Sequence, residues 1–178
     1  DELRKQLPYF LKRLQSIHNA RAKGEWRKMR RNCEVLLERA ASLAAIWNLY
    51  ASALEGCGDY TKAREALAIC LEMEPSNVAA TLEMISNDEL SLSRRKQYAE
   101  ELLKRRPRLE PAYLELASIK GRLGQVSEAE AILKRCLEMF PFSNTPVMAL
   151  RQFYFAQGRQ DLAFEFPLIG ENNEADVD

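Results

Sequence analysis

Residues 44–77 read AAIWNLYASALEGCGDYTKAREALAICLEMEPSN, and this stretch decides the fold. Two apolar helical patterns flank Gly58, and Pro75 follows the second. A tight turn between helices needs a residue that tolerates positive φ, and a proline stops the helix that precedes it. Ala51 and Ala63 belong where two helices approach most closely, because only a small side chain fits there. Trp47 and Tyr60 are bulky enough to fill the gaps between neighbouring helices.

The same marks recur on either side. Gly24 and Gly58 are 34 residues apart, as are Gly124 and Gly158, and Gly58 to Gly124 is 66, two slightly shortened periods. Trp26 and Tyr60 each fall two residues after their glycine, and Ala63, Ala129 and Ala163 each fall five after theirs. Pro75 and Pro141 lie 17 residues after theirs. A period of this length is the sign of stacked helical hairpins, each unable to bury its apolar face alone.

Composition agrees. The 178 residues are 47% apolar and 29% charged, with seven Gly and seven Pro, which suits a packed helical chain rather than a disordered one. Lys+Arg and Asp+Glu are both 26, which excludes a uniformly basic nucleic-acid binder. No apolar run approaches a membrane span, and no basic start leads into an apolar stretch of signal-peptide type. The chain opens on Asp1 rather than Met, which leaves room for a preceding anchor, leader or further repeats. Cys33, Cys57, Cys70 and Cys136 contain no CxxC pair, and His18 is the single histidine, so neither a zinc site nor a disulfide framework is expected. Cys70 and Cys136 share one repeat position and read as core thiols, with Cys57 more exposed. A cytoplasmic, reducing compartment follows, with the soluble domain of a membrane-anchored protein as the variant of that reading.

Residues 44–77 resemble the tetratricopeptide repeat, a helix–turn–helix unit, through Trp47, Ala51, Gly58-Asp59-Tyr60, Ala63 and Pro75. The resemblance implies an all-α fold, a right-handed α-solenoid of about five such units over residues 1–169. The units are 10–43, 44–77, 78–109, 110–143 and 144–167, followed by a disordered acidic tail over 170–178. The first carries Met29 where Ala is expected. The third lacks the turn glycine, and Asn87-Asp88-Glu89 with Ser91 take over its connection. The fifth ends early at Pro167. Ser127 and Glu130 are expected to form a capping box, Thr145-Pro146 to start a helix, and Pro111 to sit at a first helical position.

Catalysis is not expected, and neither is a cofactor or a metal. A nucleophile needs a base, and His18 would have to serve every such mechanism. There is no Gly-rich phosphate loop, and the adjacent Glu100 and Glu101 point to different helix faces.

In the resembled family the first helix of each unit lines a concave surface that meets a partner. In that register the partner-binding residues are Asn48, Ser52, Glu55, Leu82, Ser86, Leu114, Ser118 and Arg122, an apolar row flanked by small hydroxyls and mixed charge. Such a groove suits a peptide or an amphipathic helix of another protein, in the manner of an adaptor or scaffold. Leu82 and Leu114 are equally readable as packing residues. Leu14 and His18 replace the Lys and Asn with which one subfamily grips a terminal carboxylate, which argues against that activity. Met148 and Phe155, in the incomplete last unit, are the place for a homo-oligomer contact.

Charge is uneven. Residues 1–31 hold ten Lys/Arg against three acids, and Arg94 to Arg108 hold seven against Glu100 and Glu101. By register these lie on second helices, giving a basic face of Arg27, Lys28, Arg30, Arg31, Arg94, Arg95 and Lys96. Solvated helix surface is the plain reading. The alternatives are RNA or an anionic membrane surface, although nucleic acid is not the expected partner and a membrane enters only through a preceding anchor or this face.

Overall fold

The computed structural model describes residues 2–170, with side chains from Leu7 onward. The acidic stretch 171–178 of the expected tail lies outside the described residues. The chain divides into two compact units, residues 1–89 and 90–178. Among the described residues all regular structure is α-helical.

The first unit holds α1 (Glu2–Ala22), α2 (Trp26–Ala40), α3 (Ala44–Gly56), α4 (Tyr60–Met73) and α5 (Val78–Ser86). Successive helices pack on one another, α3 and α4 most extensively. The turns at Gly24 and Gly58 have φ of 66° and 82°. In each, the amide three residues past the helix end reaches back to a carbonyl: Glu25 N–H donates to Ala20 O at 2.8 Å and Asp59 N–H to Leu54 O at 2.9 Å. This left-handed cap satisfies the last carbonyls of the first helix while turning the chain into the second. Ile17, Ala20, Met29, Cys33, Leu36, Ile46 and Ala53 form the core. The alanines at positions 51 and 63 are fully buried, so α3 and α4 do meet through small side chains.

Two contacts lock the first unit further. Asn32, buried between α1 and α2, accepts from Arg13 Nη1 at 2.8 Å and donates to Ser16 Oγ and the Lys28 carbonyl, so its amide is fully used. Gly56, near the end of α3, lies flush under the Trp26 indole of α2. A Cβ built there would sit 2.2 Å from the ring. Trp26 thus fills an interhelical gap, as expected of its register partner Tyr60. Tyr60 does not: the residue is 53% exposed. The position opens α4, where the ring stands at the rim of a cavity instead of between helices.

The second unit holds α6 (Leu92–Arg105), α7 (Glu110–Arg122), α8 (Val126–Met139), α9 (Asn144–Ala156) and α10 (Gln160–Ala163). Gly124 and Gly158 repeat the same turn at φ of 76° and 70°, with Gln125 N–H on Lys120 O and Arg159 N–H on Tyr154 O, both 2.9 Å. The division between the units falls at the connection without a glycine. There Asn87 caps the end of α5, its Oδ1 accepting from Glu89 N–H, and Ser91 caps α6 by accepting from Arg94 N–H. Ala117, Leu133, Leu150, Tyr154 and Ala163 form the core of this unit. Pro111 lies in the first turn of α7 as expected.

Two local expectations are corrected. The N-cap of α8 is Gln125, without a side-chain cap, so Ser127 lies inside the helix and no capping box forms. Glu130 is instead drawn to Lys134, Tyr154 and Arg159. Helix α9 starts two residues early. Ser143 caps it by accepting from Thr145 N–H, and Pro146 is buried within it. The second helix of the last hairpin is a single turn, and residues 164–170 fold back over α9. Phe166 stacks on Tyr154, Arg151 Nε donates to Phe166 O at 2.8 Å, and Ile169 N–H to Asn144 Oδ1 at 2.7 Å.

Candidate functional site

Because side chains three and four apart share a helix face, the repeat register puts the expected partner-binding residues on α3, α5 and α7 in rows. In the first unit Glu55 of α3 meets Leu82, Glu83 and Ser86 of α5 around a cavity of about 630 Å³. Tyr60 and residues 87–89 complete its wall. Leu82 is half-buried, Ser86 exposed, and Glu55 half-buried. Asn48 and Ser52, expected in the same row, do not line this cavity. Ser52 stands beneath it and donates its hydroxyl to Glu83 Oε1 at 2.9 Å. The other oxygen, Glu83 Oε2, is enclosed and has no hydrogen-bond partner among the described residues, and the same is true of Asn48 Oδ1.

The electrostatics follow from that enclosure. Burial pushes the Glu83 carboxyl above the usual range, the Ser52 hydroxyl pulls it partly back, Glu55 raises it further and Arg21 of α1 lowers it. Burial alone raises Glu55. Glu89, at the rim, is paired with Arg64 at 3.0 Å. Glu83 directly follows Leu82 on the same helix and falls beside the expected groove positions; its enclosure is what the register does not predict.

In the second unit Leu114, Ser118 and Arg122 of α7 gather around a cavity of about 400 Å³. Leu133 of α8 and Ala149, Gln152 and Phe153 of α9 lie opposite. The three expected residues are thus brought together, in a wall that is mostly apolar and holds no carboxylate. Leu114 is half-buried and packs on the core cluster through part of its surface. Met148 and Phe155, the expected contact of the last hairpin, are 59% and 45% exposed. Phe155 meets Phe164 edge-on at 5.7 Å.

The basic residues fare differently from one another. Arg27, Lys28 and Arg31 line a recess of about 480 Å³ with Trp26, Gly56 and Cys57. Lys28 pairs with Glu25 at 2.7 Å and Arg30 with Glu34 at 2.8 Å. Arg94 lies over the Tyr98 ring and bonds Gln97, and Lys96 is half-buried. Arg95, counted with the basic face, is a correction: it is 4% exposed on the inner side of α6, so it offers no charge to a surface.

Cys33, Cys70 and Cys136 are buried and Cys57 is half-buried, all four as free thiols. Burial pushes Cys33 up to about 12 and Cys136 to about 11. No described helix is long and apolar enough to cross a membrane.

A family model of the tetratricopeptide repeat matches residues 44–86, and a second one matches residues 110–142. No curated protein matches the sequence. Among solved structures, the crystal structure of MamA protein shares 14% identity with a TM-score of 0.70, covering 88% of this chain and 87% of that one. MamA from Desulfovibrio magneticus RS-1 shares 13% identity with a TM-score of 0.71, over 88% of this chain and 90% of that one. MamA AMB-1 shares 19% identity at a TM-score of 0.65, over 93% and 89%. At such identities the likeness is one of fold. The turn glycines, the buried alanines and the two family matches agree, and the chain is a tetratricopeptide-repeat protein.

Proposed function

We propose that this chain is a non-catalytic interaction adaptor that binds a peptide or helix of a partner protein through its first-helix faces, as part of a larger assembly in a reducing compartment. The contact residues are Asn48, Ser52, Glu55, Leu82 and Ser86 in the first unit and Leu114, Ser118 and Arg122 in the second. One observation carries the reading. Residues chosen by repeat register alone converge, three in each unit, on open cavities rather than scattering over the surface. Each cavity combines an apolar wall with a few polar groups, the arrangement that anchors a segment and fixes its direction.

The test is partner capture by the wild-type chain beside the Leu82→Glu/Leu114→Glu double variant, at low and moderate salt. Both leucines are half-buried, so the variant should keep its helical circular dichroism and lose the captured protein at both salts. A collapse of helicity would make these leucines core residues and sink the reading. The second reading is an RNA or anionic membrane surface docked on the basic face, favoured by the recess that Arg27, Lys28 and Arg31 share. It requires capture that ignores the two leucines and falls steeply with salt, as phosphate neutralisation does.

A further inference from the structure

The first-unit cavity is rich in carboxylates, with Glu55, Glu83, Asp88 and Glu89 all in its wall. Of these, Glu83 has an enclosed oxygen, Oε2, without a partner among the described residues. The Ser52 hydroxyl is spent on Glu83 Oε1. Glu55 lines the same cavity, close enough for its charge to be felt at Glu83, and Arg21, whose charge partly offsets it, is an exposed side chain of α1. A neutral apolar helix laid into this cavity would strip water from the carboxylates and return no hydrogen bond, and an acidic segment would add repulsion. Lys and Arg carry donors only, on an apolar stem. Leu82 and Tyr60 in the wall offer that stem a surface to lie on.

We propose that the first-unit cavity is a socket for a lysine or arginine side chain, so that the partner segment it takes is basic beside an apolar anchor. This rests on the peptide-binding reading of the same site and gives it a chemistry. The ammonium or guanidinium donates to Glu83 Oε2 and to Glu55, and the neighbouring apolar residue of the segment covers Leu82. The pair is half-buried, so salt screens it less than an exposed one.

The test uses immobilised decapeptides, random except for a leucine and, beside it, one fixed Lys, Arg, Gln or Glu. They are probed with the wild-type chain, with Glu55→Gln/Glu83→Gln and with Leu82→Glu/Leu114→Glu. The wild type should retain the Lys and Arg sets about tenfold above the Gln set, and Glu55→Gln/Glu83→Gln should retain Lys, Arg and Gln sets alike. That variant keeps the side-chain shape and removes a buried charge, so it should fold; Glu55→Gln alone serves as the milder variant, with about a threefold loss. Equal retention of Lys and Gln sets by the wild type, lost in the leucine variant, would overturn the socket and leave the peptide groove standing. A basic preference that survives Glu55→Gln/Glu83→Gln would overturn it too, since other charges would then be selecting. Retention of no peptide set by the wild type would take down both readings.

Discussion

Two carboxylates, Glu83 in the first unit and Glu130 in the second, are treated in opposite ways. Glu130 is saturated. It takes Tyr154 and Lys134 on one oxygen, each at 2.9 Å, and Arg159 on the other at 2.8 Å. Lys134 is the largest of the influences that hold it down at about 2. Glu83 receives one serine hydroxyl, and burial pushes it up. A saturated carboxylate ties α8 to α9 and to the turn after α9, and so belongs to folding. An unsaturated one in an open cavity costs stability, and the place to recover that cost is a partner. On the socket proposed above, the difference separates a carboxylate that holds the second unit together from one that the first unit offers to a partner.

The comparison between units can be pressed hardest at two glycines that do not need positive φ. Gly56→Ala should destabilise the first unit by about 2 kcal/mol, because the new methyl drives into the Trp26 ring and the helix must shift. Gly121→Ala, in α7 with nothing near its Cβ, should instead stabilise by about 0.5 kcal/mol through helix propensity. Thermal melts of the two variants should therefore move in opposite directions. Equal shifts would mean that the indole does not hold its position over α3.

A smaller effect sharpens the carboxylate contrast. Glu130 is depressed in the fold, so its stabilisation is present above the ordinary carboxylate range and lost as pH falls from about 4.5 towards 2. Glu130→Gln should lower the melting temperature by about 3 °C at pH 7, and by progressively less below pH 4.5. Glu83 is raised, so its cost appears as pH climbs past the ordinary carboxylate range and is absent well below it. Glu83→Gln should thus raise the melting temperature by about 1 °C at pH 7 and leave it unchanged near pH 3. Shifts of the same sign for both variants would dissolve the contrast.

Much of the fold was legible because the repeat writes its constraints in residue types that have no substitutes. Gly24, Gly58, Gly124 and Gly158 all take the positive φ their spacing implied, and Ala51 and Ala63 are buried where a larger side chain would clash. What the period could not carry was local competition. Glu130 has the right spacing from Ser127 for a capping box, yet Lys134 of its own helix, with Tyr154 and Arg159 from the next hairpin, draws it away from a backbone amide. Tyr60 shares a register with Trp26, but its ring turns outward. The site was legible as a face and not as a chemistry. Register located Glu55, Leu82 and Ser86, while the enclosure of Glu83 depends on how closely α3 and α5 approach, a distance no spacing in the chain records.

The recess beside Gly56 has a practical side. Three of the four thiols are sealed in the interior, and Cys57 alone reaches a solvent-facing pocket, next to the Trp26 indole. A thiol-specific dye therefore has a single address in this molecule, beside a native fluorophore that can quench or feed it. The contact between the first two hairpins comes already wired as an optical gauge of whether α2 and α3 stay together.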